Sequence, residues 1–111
     1  MNKCIFCRII ERSLPAEFVF EDDNLIAIRD INPQAPVHVL IIPKAHYPTI
    51  EDAPPAVLGE MCARAARLAS DLKISSSGYR TVVNCRDHAG QTVMHLHLHL
   101  LGGRWFHWPP G

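Results

Sequence analysis

Residues 95–101 have the sequence His-Leu-His-Leu-His-Leu-Leu, and this strict alternation decides the fold prediction. Side chains on a β-strand point to opposite faces in turn, with a rise of about 3.4 Å per residue. A strand over these residues therefore places His95, His97 and His99 on one face, about 6.8 Å apart. The intervening leucines take the other face, where they can join a core. A helix would instead scatter the three imidazole rings around its axis.

The rest of the chain predicts more strands around one long helix. Apolar residues recur at helical spacing between residues 54 and 73, with prolines in the first turn and Asp52 as a candidate cap. Cys62 lies in this helix, and we expect it to be buried. A short helix is predicted over residues 5–12, and strands over residues 17–21, 25–30, 37–42, 79–85 and 95–101. This order predicts an α+β fold with a largely antiparallel sheet of about five strands.

Length, composition and charge exclude several classes of protein. The chain has 111 residues, 48% of them hydrophobic and 20% charged, which predicts one globular domain over residues 1–111. Eleven basic and eleven acidic residues cancel, which argues against a nonspecific binder of nucleic-acid polymers or anionic membranes. No apolar run approaches the roughly 20 residues that span a bilayer. The N-terminal stretch, with Cys4, Cys7 and Arg8, does not resemble a secretory signal, so we expect a cytoplasmic protein.

The row of imidazoles points to chemistry near neutral pH, where histidine acts as nucleophile, base or metal ligand. Gly90, Gln91 and Thr92 precede the row, and their backbone N–H groups and hydroxyl suit a phosphate group. The alternative interpretations are a metal-binding tract or a merely polar strand face. Strict alternation with leucine makes a loose histidine-rich tract the weaker alternative.

A second motif is the pair Cys4 and Cys7, which form C-x-x-C near the start of the chain. Such a pair alone is compatible with zinc binding, with redox chemistry or with neither. Zinc requires about four tetrahedral ligands, so two of them would have to come from elsewhere in the chain.

The histidine-leucine stretch resembles the His-φ-His-φ-His-φ-φ signature of the histidine triad (HIT) superfamily, where φ is an apolar residue. The resemblance covers nearly the whole chain, and the ending at residues 107–111 resembles the histidine triad nucleotide-binding protein branch. The other matching segments are Ile9-Ile10, residues 20–23, residues 30–36, His38, residues 41–44, residues 78–80, Val83-Asn84 and Gly90-Gln91.

The resemblance implies a role for each matching residue. His97 would be the nucleophile that attacks the α-phosphorus of a purine nucleoside 5′-phosphoramidate, forming a covalent nucleotidyl-histidine that water hydrolyses to AMP or GMP. His99 would hydrogen-bond a phosphate oxygen, while His38 and His95 would orient the imidazole row. Asp30 would bind the ribose hydroxyls. The remaining expected nucleotide-binding residues are Ile31 against the base and, on the phosphate side, Asn84, Gly90, Gln91 and Thr92.

The resemblance also implies a metal and a partner. Bacterial relatives with the N-terminal cysteine pair bind a structural Zn²⁺, and carried over, its ligands would be Cys4, Cys7, His46 and His95. The second nitrogen of His95 would then face the triad. Catalysis itself would need no metal. A two-fold homodimer is also implied, with the C-terminal tail near the partner's pocket.

Two other functions remain open at this point. One is hydrolysis of dinucleoside polyphosphates, against which the ending at residues 108–111 argues. The other is a non-catalytic nucleotide-binding regulatory protein that acts through a protein partner. The complete triad favours an enzyme over the second alternative.

Overall fold

A computed structural model describes residues 3–111 as one antiparallel sheet with two helices. The helices are α1 (Ile5–Ile10) and α2 (Pro55–Asp71), and two short 3₁₀ turns lie at Ile50–Asp52 and Asp87–Ala89. The strands are β1 (Phe18–Glu21), β2 (Leu25–Arg29), β3 (Val37–Pro43), β4 (Tyr79–Val82) and β5 (Leu98–Gly102). They lie in the order β1-β2-β3-β5-β4, and all four pairings are antiparallel. The predicted α+β class, five strands and both helices are confirmed.

The predicted strand over residues 95–101 is wrong at its start, because β5 begins only at Leu98. The pairing of β3 with β5 ends at the opposed residues Ile41 and Leu98, although β3 itself continues to Pro43. Upstream of that point the Leu96 N–H donates to the carbonyl of Tyr47 instead. His95 and His97 therefore lie outside the sheet ladder, and His95 ends a bend at residues 93–95.

Three smaller predictions also needed correction. Strand β4 ends at Val82 rather than at residue 85. Asp52 does not cap α2, whose N-cap is Pro54, because its carboxylate closes a capping box with Thr49 in the preceding 3₁₀ turn. Cys62 is exposed, since the buried face of α2 consists of Met61, Ala65, Leu68 and Ala69.

The two faces of the sheet carry different residues, as the alternation along β3 and β5 predicts. The face under α2 holds Leu96, Leu98 and Leu100 in one buried cluster with the buried residues of that helix. The opposite face packs against α1, where Phe6 and Ile9 contact Ile26, Ile28, Leu40 and Ile42. The leucines of the alternating stretch therefore anchor the core and leave the histidines to the face shared with α1.

Within residues 3–111, no helix combines the length and the apolar character that crossing a membrane requires.

Candidate active site

Five histidines and one phenylalanine form a continuous row of rings on the α1 side of the sheet. The ring centroids of His46 and His95 are 4.7 Å apart, and Phe6 lies edge-on to both His95 at 5.8 Å and His97 at 5.0 Å. The row continues from His97 to His99 at 5.1 Å and from His99 to His38 at 5.2 Å. The structure thus brings together the four histidines that the sequence analysis assigned to catalysis.

His97 is held in one tautomer by a main-chain group. Its Nδ1–H donates to the carbonyl oxygen of His95 over 2.8 Å, and the side chain is buried. A neutral imidazole with its proton on Nδ1 carries its lone pair on Nε2. Burial, the largest cause, lowers the pKa of His97 and so favours this neutral form. The ring therefore presents a nucleophilic Nε2 without any prior loss of a proton from that atom.

A second chain of hydrogen bonds gives His99 the opposite polarity. The backbone N–H of Gln34 donates to Nδ1 of His38 over 3.0 Å, which leaves the His38 proton on Nε2. That Nε2–H donates to Nδ1 of His99 over 2.9 Å, and Asp30 Oδ2 lies 3.5 Å from the same His38 nitrogen. His99 then carries its own proton on Nε2. One ring of the pair offers a lone pair and the other an N–H donor.

Burial favours the uncharged forms of His38, His95, His97 and His99 by lowering their pKa values. In His38 the nearby Asp30 carboxylate opposes the lowering of the pKa, and in His95 the hydrogen bond to the Pro43 carbonyl opposes it. Burial, followed by repulsion from His97 and His38, lowers the pKa of His99 to about 4. The neutral tautomers that the hydrogen bonds define are thus the forms present at physiological pH.

We expect the free energy of unfolding to fall as the pH is lowered from about 6.5 towards 4. An unfolded histidine titrates near pH 6.5, whereas native His99 stays neutral down to about pH 4. In this pH window the unfolded chain binds more protons than the folded chain, so lowering the pH favours unfolding. For the partly exposed His99, the expected loss of unfolding free energy is about 2 kcal/mol. Denaturant unfolding at pH 7 and pH 4.5 measures the effect. The loss of unfolding free energy between the two pH values should be smaller in His99→Asn than in the wild type. It should be the same as in the wild type in His88→Ala, the control at an exposed histidine. Equal losses in the wild type and both variants would contradict the prediction.

A cavity of about 460 Å³ opens beside His97 and His99. Its polar lining includes Asp30 and Thr92, and its wall is largely apolar. The apolar lining residues are Ile5, Phe6, Ile9, Leu14, Pro15, Ala16, Ile28, Ile31, Leu40 and Val93. A cavity of this size, with an apolar wall and a few polar groups at one end, suits a flat base linked to a polar group.

Not every predicted nucleotide-binding residue lines this cavity. The lining includes Asp30, Ile31 and Thr92, and the Ile31 side chain is 99% exposed. Within the described residues, the lining does not include Asn84, Gly90 or Gln91. The Gln91 amide instead holds its own loop, donating to the carbonyls of Pro48 and Val93 and accepting from the Arg86 N–H. The roles of Asn84, Gly90 and Gln91 therefore stay predictions, and for Gln91 the geometry favours support of the loop.

Phe6 and three main-chain groups are functional contacts that the sequence motifs do not indicate: the His95 carbonyl, the Pro43 carbonyl and the Gln34 N–H. No side-chain motif reveals a main-chain donor or acceptor. Phe6 could have been found, because it lies between Cys4 and Cys7 on the apolar side of a predicted helix.

A compact group of potential metal ligands, here called the Cys–His cluster, comprises Cys4, Cys7, His46 and His95. Its ligand atoms all lie within 4.8 Å of one another. The distance between Sγ and Nδ1 is 3.3 Å for Cys4 with His95, and 3.3 Å for Cys7 with His46. The two imidazole Nδ1 atoms are 3.0 Å apart. Tetrahedral zinc with sulfur and nitrogen ligands gives edges of about 3.3–3.8 Å. The sulfur–nitrogen distances match these edges and the nitrogen–nitrogen distance is slightly shorter, so the donors fit such an ion after a small separation of the two rings.

The tautomer of His95 supports the same interpretation. Its Nε2–H donates to the Pro43 carbonyl over 2.8 Å, so Nδ1 carries the lone pair and faces the cysteines. Metal-binding histidines commonly donate their other ring N–H to a carbonyl in this way. The expectation that the second nitrogen of His95 faces the triad is wrong, because that nitrogen is used by Pro43. His95 reaches His97 through its main-chain carbonyl instead.

Comparison with known proteins agrees with the fold and the row of histidines. Residues 11–106 match the HIT domain, and the chain belongs to the HIT family. It is 47% identical over 106 residues to the purine nucleoside phosphoramidase of Escherichia coli K12, covering 93% of this chain and 89% of that protein.

Solved structures of the same family superpose closely. A HIT family hydrolase from Legionella pneumophila gives a TM-score of 0.95 at 50% identity, covering 98% of this chain and all of the other. A zinc-bound histidine triad family protein from Mycobacterium smegmatis gives a TM-score of 0.82 at 37% identity, covering 92% of this chain and 76% of that one. The predicted family is confirmed.

Proposed function

We propose that this protein is a hydrolase that cleaves the P–N bond of purine nucleoside 5′-phosphoramidates through a covalent nucleotidyl-histidine. The observation that carries the proposal is the pair of opposed tautomers, with a lone pair on His97 Nε2 beside an N–H on His99. The similarity to a purine nucleoside phosphoramidase supports the substrate class.

In the first step, His97 Nε2 attacks the α-phosphorus, and an N–P bond to the histidine forms as the bond to the substrate amine breaks. The departing nitrogen takes up a proton from solvent water and leaves as an amine, and the water that attacks in the second step returns a proton to solvent. The Nε2–H of His99 donates to a non-bridging phosphate oxygen and stabilises the charge that develops there. The Nδ1 proton of His97 remains shared with the His95 carbonyl, which supports the positive charge on the phosphorylated ring.

In the second step, water attacks the same phosphorus and the bond to His97 breaks. The nucleoside monophosphate leaves with the water oxygen, and His97 returns to its neutral form. The two steps together convert a phosphoramidate and water into a nucleoside monophosphate and an amine. Asp30 and Ile31 line the cavity, where they would hold the ribose and the base.

Brief incubation with a phosphoramidate labelled in its nucleotide part tests the proposal directly. Acid and base treatment of the trapped protein should reveal an acid-labile, base-stable label on His97. Rates on a P–N substrate and on a dinucleoside polyphosphate separate the two enzyme classes. Hydrolysis of only the second substrate, or no label in the protein, would contradict the proposal.

We expect His38→Ala to lower kcat/KM by about ten- to a hundredfold. The change removes the donor that keeps the His99 proton on Nε2. Only a fraction of the enzyme molecules would then present the His99 Nε2–H to the phosphate. Steady-state kinetics on an adenosine phosphoramidate measure the loss, and His88→Ala serves as the exposed histidine control. A His38→Ala enzyme within twofold of the wild type would exclude His38 from this role.

For the Cys–His cluster we propose a bound Zn²⁺ with a structural role. Zinc would join α1 to the loop that carries His46 and to the segment that carries His95. The zinc-bound neighbour and the sulfur–nitrogen distances within the cluster support this assignment. No step of the reaction passes through the metal.

We also propose a cytoplasmic homodimer whose C-terminal tail lies near the partner's pocket. Trp105 and Trp108 in that tail are 88% and 81% exposed, which is unusual for tryptophan in an isolated chain. Light scattering coupled to size-exclusion chromatography should give twice the 12.4 kDa mass of one chain. A monomer at micromolar concentration would contradict the dimer.

A further inference from the structure

The Cys–His cluster and the nucleophile lie side by side, and two routes of contact join them. In the first route, the side chain of His95 belongs to the cluster while its main-chain carbonyl accepts the Nδ1–H of His97 over 2.8 Å. In the second route, Phe6 lies between the two cysteines in the sequence and packs edge-on against the rings of His95 and His97.

We propose that the Cys–His cluster positions the nucleophile, with Phe6 as a positioning residue that acts through the His97 ring. Occupancy of the cluster by a divalent metal such as zinc would thereby set the tautomer and orientation of His97. The inference rests on the proposed function in taking His97 as the nucleophile, and it adds a link between metal binding and turnover.

The first route depends on how His95 is held. It lies upstream of β5, outside the sheet ladder, and its carbonyl belongs to a peptide unit whose Leu96 N–H donates to the carbonyl of Tyr47, the residue after His46. Its fully buried ring is instead bonded to the Pro43 carbonyl and packed among the cluster's sulfur and nitrogen atoms. A main-chain carbonyl moves with its residue. Loosening the cluster would free both the His95 ring and the loop of His46 and Tyr47, and so would move the acceptor that holds the His97 proton on Nδ1.

The second route depends on α1. This helix has six residues, far fewer than the roughly 12 that an isolated helix needs to be stable by its own hydrogen bonds. Its start is tied to the cluster, because Cys4 is the N-cap residue and its sulfur accepts the Cys7 N–H. Metal binding by both cysteines would fix this turn. Phe6 would then be held against His97, and Ile5 and Ile9 would be held in the cavity wall.

Phe6→Leu tests the second route without replacing a potential metal ligand. An edge-to-face ring contact corresponds to a factor of about three to ten, so kcat should fall about three- to tenfold. Leucine keeps an apolar side chain in the cavity wall, so KM should change less than kcat, and zinc content should match the wild type. Ile10→Val is the matched control on the same helix, because Ile10 is partly buried and does not line the cavity.

Nuclear magnetic resonance of ¹⁵N-histidine-labelled protein tests the whole link without relying on turnover. Ring nitrogen shifts report which nitrogen of His97 carries the proton, and His97→Ala assigns the signals. The zinc-loaded wild type should show His97 protonated at Nδ1. Chelation of zinc, Cys7→Ser and Phe6→Leu should each raise the fraction protonated at Nε2, and zinc returned to the wild type should reverse the change. Cys62→Ser, an exposed cysteine on α2, should behave as the wild type.

Unchanged His97 signals after metal removal would overturn the link, even if Phe6→Leu altered them. Retention of kcat within twofold in Phe6→Leu would equally exclude Phe6 as a positioning residue. If Cys7→Ser does not fold, the His97 signals of the chelated wild type and of Phe6→Leu still test the link. A wild type without phosphoramidase activity would defeat the proposed function alone, because the ring signals would still report the link.

Discussion

His97→Ala should lower kcat on an adenosine phosphoramidate by about four orders of magnitude or more, with little change in KM. The variant loses the only step that forms the covalent intermediate, and removal of a catalytic nucleophile costs other enzymes about 10⁴- to 10⁶-fold. The apolar cavity wall and Asp30 remain in place to bind substrate. Single-turnover kinetics and trapping of labelled protein measure the loss of both turnover and adduct.

His88→Ala is the matched control for this experiment, because His88 is an exposed histidine in the 3₁₀ turn at Asp87–Ala89. It should retain wild-type turnover and adduct formation. A His97→Ala protein that still hydrolyses the substrate at the wild-type rate would remove His97 from the role of nucleophile. A His97→Ala protein that has lost turnover but keeps the protein's effect in cells would favour a non-catalytic regulatory function.

Cys7→Ser should reduce bound zinc below about one tenth of an equivalent and lower Tm by about 10 °C. Loss of one of four ligands opens the site, and a structural zinc stabilises only the folded chain that presents its ligands. A loss of about 2–4 kcal/mol in the free energy of unfolding corresponds to a fall in Tm of about 10 °C in a chain of 111 residues. Elemental analysis of reduced, chelator-free protein and thermal unfolding measure the two effects.

Cys62→Ser provides the comparison, since Cys62 is exposed on α2 and lies outside the Cys–His cluster. It should keep about one zinc per chain and the wild-type Tm. Wild-type protein that contains no zinc after reductive purification would refute the metal assignment. Equal zinc content in both serine variants would exclude Cys7 as a ligand.

The element types could be predicted from local patterns, whereas the ends of several elements could not. Alternation between histidine and leucine assigned the two faces of residues 95–100 correctly, because a period of two survives in any extended chain. The same alternation placed the start of β5 three residues too early. Where a strand begins depends on where its partner stops pairing, and that point lies on β3. Asp52 was likewise misassigned because a nearer partner, Thr49, competes for its carboxylate.

The sequence by itself determined the family, the apolar and imidazole faces, and the identity of the side chains that carry the chemistry. Only the tertiary structure decided which atom of each imidazole is a donor and which is an acceptor. Those assignments depend on the carbonyls of His95 and Pro43 and the N–H of Gln34. Every residue but proline has the same main-chain groups, so no residue letter encodes where they point. Folding brings these three groups to the histidines, and that placement gives His97 its free nitrogen.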